Sequence, residues 1–342
     1  MMRKRSIRAI TIMVAICLLL HTGTAQDLHF SQFMNAPLMT NPANTGFIPE
    51  ADFRIGVQYR SQWTSIPVPY RTSGLFADFQ LLRNRFENGW LGAGVLVLND
   101  RAGRGNLRSN KMYGSIAWHQ MLGYSSLLSA GFNAGYVSKR IDLSKFTFDN
   151  QWNGKFFDGA SFNGEQLLNN SALSYFDLQA GINYAYFPSE NQYFNGGISV
   201  HHINQPRETF FSGSDNVVPR RYTGFLNGSF KMNNDWILNP GGYFSLQAKA
   251  YEIVAGGSAA YNLTGDGSRV VLGGVYYRWG DAAIAMIGFE MQNVRFTFTY
   301  DATVSSLARF NNSNGAWEFS MIRNGFYNQY KGDRRQSMCP RF

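Results

Sequence analysis

The chain carries five histidines, and His201 and His202 form the adjacent pair among them. Neighbouring residues of an extended strand point to opposite faces, so this pair does not converge on one metal ion and a structural role is expected. Serines are plentiful, yet no nucleophile elbow or phospholipase-like arrangement surrounds His119, His201 or His202. Gly103-Arg104-Gly105 lacks the spacing of a phosphate cradle. Asp149, Asp158 and Glu165 share one segment but are not spaced as a calcium loop, and they read as a solvated connection. The expectation is a protein with no catalytic residue, no cofactor and no metal, and therefore not an enzyme.

Composition narrows the elements that hold these side chains. Of 342 residues, 15% are aromatic and only 15% charged, with 35 Gly and 10 Pro. Globular chains usually carry about a quarter charged residues, so soluble helical and disordered classes are disfavoured. Arg3, Lys4, Arg5 and Arg8 precede an apolar run from Ala9 to Leu20, and Gly23-Thr24-Ala25 supplies small residues for cleavage. That order is a secretory signal over residues 1–25, with Gln26 as the first mature residue. Cys17 lies too deep in the apolar run, beside bulky Ile16, to be a lipid anchor. Cleavage removes four basic residues and no acidic one, lowering the net charge from +9 to +5, a diffuse excess that does not point to nucleic acid. It also leaves Cys339 alone, so no intramolecular disulfide is expected.

Beyond the signal, no apolar run approaches the roughly 20 residues of a membrane helix. The pattern is instead one of period two. Val294, Phe296, Phe298 and Tyr300 interleave with Arg295, Thr297, Thr299 and Asp301, as Phe53, Ile55, Val57 and Tyr59 do with Arg54, Gly56, Gln58 and Arg60. Strands are predicted near 53–63, 69–82, 89–99, 107–121, 125–139, 172–187 and 191–204. Seven more follow near 220–232, 235–248, 250–263, 268–279, 282–291, 293–302 and 315–327. An even count of about fourteen, and lengths near the roughly 9 to 11 residues that cross a bilayer at a tilt, indicate an all-β transmembrane antiparallel barrel rather than a soluble sandwich or propeller.

The connections carry their own rhythm. The fifth, Arg140 to Ser171, the seventh, Gln205 to Pro219, and the thirteenth, Thr303 to Asn314, are long, whereas Gly123-Tyr124, Pro188-Ser189-Glu190, Asn233-Asn234 and Thr264-Gly265-Asp266-Gly267 are compact. Barrels of this kind alternate long outside loops with short periplasmic turns, which places the odd connections outside. Glycines such as Gly92, Gly131 and Gly197 are expected to let the strands bend, and Trp90, Tyr136, Tyr186, Tyr261 and Trp279 to form interfacial girdles.

The segment after the signal, Gln26-Asp27-Leu28-His29-Phe30-Ser31-Gln32 through Asn35 to Asn41-Pro42-Ala43-Asn44-Thr45-Gly46, fits no membrane strand. It resembles the N-terminal signature of the PorP/SprF family, outer-membrane proteins of the type IX secretion system of Bacteroidota. Arg54 with Tyr59-Arg60-Ser61-Gln62-Trp63 is similar to the family's first-strand element. Tyr300-Asp301, Gly315-x-Trp317-Glu318 and the terminal Cys339-Pro340-Arg341-Phe342 resemble its C-terminal end. Met34 and Trp317 depart mildly from the family pattern, leaving the subgroup and its cargo open.

The resemblance implies a role in secretion and gliding motility: assisting export or surface attachment of cargo with a C-terminal sorting domain, alongside periplasmic and outer-membrane components of the same machine and outer-membrane lipid. A small-solute porin or transporter is the alternative. In physical terms, Asn-Pro steps favour extended or turn backbone and Gly46 a reversal, so residues 26–52 read either as a plug held by Arg54, Gln58 and Arg60 or as a loose leader. The barrel then covers 53–327 and a basic periplasmic tail 328–342. Cys339 in that tail reads either as an unpaired thiol or as a residue packed beneath the barrel. The family-motif and plug candidates are Gln32, Asn35, Asn41, Pro42, Gly46, Arg54, Arg60, Trp63, Tyr300, Asp301 and Cys339. Phe156, Phe157, Phe210 and Phe211, in the two longest connections, are the candidates for cargo contact.

Overall fold

The computed structural model describes residues 27–327 apart from residues 50, 66–68, 84, 87, 104, 143–145, 147–150, 159–170 and 211–213. The signal segment 1–25, the tail with Cys339, and Phe211 therefore lie outside the described residues. Fourteen strands form one closed antiparallel barrel. The first seven are β1 (Phe53–Gln62), β2 (Tyr70–Leu81), β3 (Gly89–Ala102), β4 (Leu107–Met121), β5 (Ser126–Arg140), β6 (Ala172–Ser189) and β7 (Gln192–His201). The others are β8 (Arg221–Lys231), β9 (Trp236–Gln247), β10 (Ala250–Asn262), β11 (Arg269–Arg278), β12 (Ala282–Met291), β13 (Val294–Thr303) and β14 (Asn314–Gly325). β1 pairs with both β2 and β14, with Phe53 opposite Phe79 and Gly325, so no strand edge is left open.

Alternation sets the two faces in the sense opposite to that of a water-soluble protein. On β4, Lys111 is 4% exposed while its neighbour Met112 is 61% exposed. Leu75, Ile182, Ile198, Leu226, Val275 and Ile287 likewise face outward, and Gln58, Thr72, Asp78, Asn133, Thr223 and Ser320 face inward. Apolar groups outside and polar groups inside are the pattern of a barrel in lipid. None of the described helices is long and apolar enough to cross a membrane; the strands do so.

The long connections, residues 141–171, 202–220 and 304–313, lie at one end, although residues 248–249 and 279–281 at that same end are short. At the opposite end residues 190–191 and 292–293 are two-residue turns. Gln292 and Asn293 both have positive φ, 52° and 65°, the sense of turn that matches strand twist in a hairpin.

Two expectations about orientation are corrected. Trp90 is not in a girdle: it is in phase with Gly92 on the inner face of β3, is 3% exposed, and donates from Nε1 to the Gly46 carbonyl at 3.0 Å. Tyr136, Tyr186, Tyr261 and Trp279 do face outward. His201 and His202 do not point to opposite faces either. β7 ends at His201, and His202 at φ 56° turns the backbone, so both rings are buried in the lumen.

Candidate functional site: a leader inside the barrel

Residues 27–49 run through the lumen as two 3-10 turns, Phe33–Asn35 and Pro42–Asn44, around one α-helical turn, Pro37–Thr40. The Asn-Pro step thus opens a helical turn instead of an extended one: Asn41 stays extended and its Oδ1 accepts from the Ala43 amide at 2.8 Å, while Pro42 occupies the first helical position, where a missing N–H is harmless. The segment bonds to strands all around the barrel, which places it in the lumen. Its aromatic anchors carry the core: Phe30 packs with Phe76, Leu96 and Tyr113, Phe33 with Tyr243, Tyr276 and Met286, and Phe47 with Trp90 and Leu127.

The leader begins at the long-loop end. The Asp27 amide donates to Gln247 Oε1 at 2.8 Å, and its carboxylate pairs with Lys111, with His202 Nε2 at 3.2 Å and with Arg221 at 3.6 Å. Burial alone would raise the Asp27 carboxyl, but Lys111, His202 and Arg221 outweigh it and hold the group well below the usual carboxylate range. His202 lies between Asp27 and Asp177, whose Oδ1 is 2.8 Å from Nδ1. Burial pulls His202 down, and the two carboxylates more than compensate, so it is held above its ordinary value.

A second cluster follows. The Ser31 and Gln32 amides donate to the two oxygens of Glu318 at 2.6 and 3.0 Å, and the Ser31 hydroxyl donates to Asp301 at 2.6 Å. Arg60 reaches Asp301 at 3.2 Å and also pairs with Glu318, while Arg278 lies 3.1 Å from Asp301 and 2.9 Å from Glu252. His29 stands 3.8 Å from Glu252, and burial pushes its ring down to about 4 against the pull of that carboxylate. Gln32 accepts from Asn35 at 2.8 Å and from Ser320 at 2.7 Å, and donates to Thr299 at 3.3 Å.

Further along, Asn41 donates to the carbonyls of Ile182 and Ile198 at 2.9 and 3.1 Å. The Thr40 carbonyl accepts from Ser199 and Thr223, and the Thr45 carbonyl lies 2.8 Å from His119 Nε2. At the short-turn end, Asp78 accepts the Gly46 amide at 2.9 Å and a two-pronged contact from Arg54 at 3.0 and 2.7 Å. Gly46, at φ 68°, lies so close to β3 that a Cβ there would sit 2.5 Å from the Gly92 Cα. A Cβ on Gly92 would collide with the Thr45 carbonyl, one on Gly131 with Pro42, and one on Gly181 with Asn41. These glycines hollow the wall where the leader lies.

Of the sequence candidates, Gln32, Asn35, Asn41, Pro42, Gly46, Arg54, Arg60 and Asp301 meet in the lumen. Trp63 and Tyr300 do not. Trp63 sits at the outer end of β1 with its ring against Tyr70, and Tyr300 faces outward, donating to Asn314 at 2.9 Å. Gln58 points inward, but its Nε2 meets no partner. Phe156 and Phe157 are 60% and 46% exposed at the long-loop end, and Phe210 is half-buried. Glu318, Asp78, Asp177, Arg221, Glu252 and Arg278 were not singled out as site residues. Their signal was a charge standing in phase with the inward polar positions of a strand. Among the described residues no three His, Cys, Asp or Glu side chains are grouped to hold a metal ion.

The leader leaves one part of the lumen empty. A vestibule of about 420 Å³ opens at the short-turn end beside β8–β13, and its inner wall is the leader itself at Met34 and Asn35. It adjoins a chamber of about 240 Å³ that shares Asn227, Arg295 and Asn324 as walls.

Residues 22–322 match the family described as type IX secretion system membrane protein PorP/SprF. No curated protein matches the chain. Among solved structures, the chain resembles the Pseudomonas putida toluene transporter TodX at a TM-score of 0.51 and 12% identity, covering 88% of this chain and 94% of that one. The Ralstonia pickettii toluene transporter TbuX is similar at a TM-score of 0.50 and 11% identity, with 84% and 92% covered. Identities this low show a shared fold alone.

Proposed function

Because the chain belongs to the PorP/SprF family of type IX secretion system membrane proteins, we propose that it is a non-enzymatic outer-membrane component of that system, assisting secretion or surface attachment of cargo bearing a C-terminal sorting domain. Gliding motility falls within the same role. The long loops face outside, where Phe156, Phe157, Phe210 and Phe211 meet cargo, and the short turns and basic tail face periplasmic components of the machine. It acts by contact and not by conduction. The observation that carries this is the leader, bonded across the lumen from Asp27 to Gly46. A folded cargo cannot share that space, and a lumen of about fourteen strands is narrow even when empty.

The alternative, a small-solute porin, draws on the vestibule at the short-turn end. Planar-bilayer recording separates the two. The intact protein is expected to show little steady conductance, and removal of residues 27–46 to open the lumen. A large steady conductance from the intact protein would favour the porin. Affinity purification from native membranes is expected to bring down other components of the secretion system; recovery of the barrel alone would count against the contact role.

A further inference from the structure

We propose that the vestibule is the docking site of the chain's own C-terminal segment, residues 328–342. That segment lies outside the described residues, and three features of its surroundings point to it. The first is position. β14 ends at Gly325 at the short-turn end and Phe326 forms part of the vestibule wall, while Tyr327, the next residue, is fixed on the β1–β2 side of that wall by its amide to Asp52 at 2.8 Å and its hydroxyl to the Gln80 carbonyl at 3.2 Å. The chain therefore continues from the edge of the empty space. Eleven residues beyond Tyr327 reach at most roughly 36–40 Å when fully extended, enough for Met338 to arrive at the vestibule.

The second feature is the apolar wall. Ile237, Leu272, Tyr276 and Met286 line the cavity, and the segment offers Tyr330, Met338 and Phe342 to cover them. The third is charge. Asp266, Glu290 and Arg295 are the charged groups of the lining; Glu290 pairs with Arg295 at 2.7 Å, which leaves Asp266, held at about 2 by hydrogen bonds from Thr264 and Ser268, as the excess negative charge at the rim. The segment carries Lys331, Arg334, Arg335 and Arg341 against one acid, Asp333.

Cys339 makes the proposal testable in the full-length protein. Ser258 lines the vestibule on β10, and Tyr124, 91% exposed in the turn between β4 and β5, is at the same end but outside the cavity. Under mild oxidation, Ser258→Cys is expected to form a disulfide with Cys339 at least tenfold faster than Tyr124→Cys does; equal rates would overturn the proposal, because tethering alone would then explain both. In a Cys339→Ser background, a small maleimide is expected to label Ser258→Cys at least tenfold faster once residues 328–342 are removed, with heat-modifiable migration confirming the barrel. Unchanged labelling would overturn the proposal. So would protection that survives removal of the segment in membranes and vanishes on purification, since a separate partner would then fill the cavity. Should the shortened chain fail to assemble, the disulfide rates decide alone.

Discussion

The lumen has two sides that differ in how completely they are filled. Against β1–β7, β13 and β14 the leader meets a carboxylate, a hydroxyl or a glycine hollow at nearly every step. Against the short-turn ends of β8–β12 the wall faces a vestibule of about 420 Å³. The strands are alike, so barrel geometry does not explain the contrast. What differs is what the carboxylates meet: Asp78, Asp301 and Glu318 on the filled side accept leader amides or hydroxyls, whereas Glu290 at the open short-turn end is paired with Arg295 at 2.7 Å on the next strand. Sealing is thus a property of particular inward residues, and mutating matched positions on the two sides separates them.

Glu318 gives the largest expected effect. It is 1% exposed, accepts two leader amides and faces Arg60, so Glu318→Ala orphans both amides and leaves the buried Arg60 guanidinium with Asp301 as its remaining carboxylate, and should destabilise the leader-bound state by about 3–5 kcal/mol. Glu290→Ala breaks a half-exposed pair and should change stability by less than about 1 kcal/mol. Urea unfolding in detergent, followed by tryptophan emission and by proteolysis of the leader, measures both. Similar losses in the two variants would mean that the leader is not what distinguishes the sides.

The glycines give the next contrast. Gly92→Ala pushes a methyl group into the Thr45 carbonyl and should cost about 1–3 kcal/mol, with the leader more readily cleaved. A Cβ at Gly273 meets nothing within 4 Å, and Gly273→Ala should stay within about 0.5 kcal/mol of the parent in the same unfolding experiment.

Acid should loosen the leader while Asp266 at the open rim keeps its charge. His29 titrates near 6.5 in a free chain and at about 4 when buried, so the folded state binds fewer protons between those values. Its contribution is complete above about 6.5 and is lost as pH falls toward 4, by at most about 1.4 kcal/mol per pH unit. His202 has the opposite sense, held above its ordinary value, and stabilises most below 6.5. The carboxyl of Asp27, being lowered, gives way only in stronger acid. Leader proteolysis is therefore expected to rise from pH 6.5 to 4 in the parent and to flatten in His29→Gln. Asp266, at about 2, stays ionised throughout. An unchanged slope in His29→Gln would assign the pH response to another group.

Period two made the strands legible almost residue by residue: the predicted 107–121 is the observed Leu107–Met121, and 282–291 is Ala282–Met291. The failures came where a local rule met a contact it does not encode. Alternation alone runs the seventh strand to residue 204, because nothing in the sequence shows that His202 takes φ 56° and leaves the strand. The place of Trp90 near a strand end suggests the lipid boundary, whereas its ring lies inside the barrel and donates to the Gly46 carbonyl. Glu318 stood in a quoted motif, yet its partner is the amide of Ser31, 287 residues away in sequence, which no periodicity reports. Glycines within strand patterns suggest bending, yet at Gly92, Gly131 and Gly181 the close packing they allow is with the leader.

The smallest effect on the barrel, and the sharpest test of the two ends against each other, belongs to the exposed aromatics. Phe156 and Phe157 sit between Gln151 and Asp158, where the Asp158 amide donates to the Gln151 carbonyl at 2.9 Å and Trp152 bridges to Phe157. The backbone of residues 151–158 is therefore tied by its own bonds, while the rings stay 60% and 46% exposed. Phe156→Ser with Phe157→Ser removes apolar surface that the barrel does not bury, so unfolding should move by no more than about 0.5 kcal/mol per site and leader proteolysis should not change. Burial of such rings against a protein partner is worth about 1.5–3 kcal/mol each, roughly a tenfold to hundredfold loss of affinity per ring. Adding Phe210→Ser and Phe211→Ser should then release cargo into the medium or strand it in the periplasm while the barrel inserts normally. Normal cargo display by a correctly assembled quadruple variant would remove the long-loop end as the capture surface and transfer that role to the short-turn end.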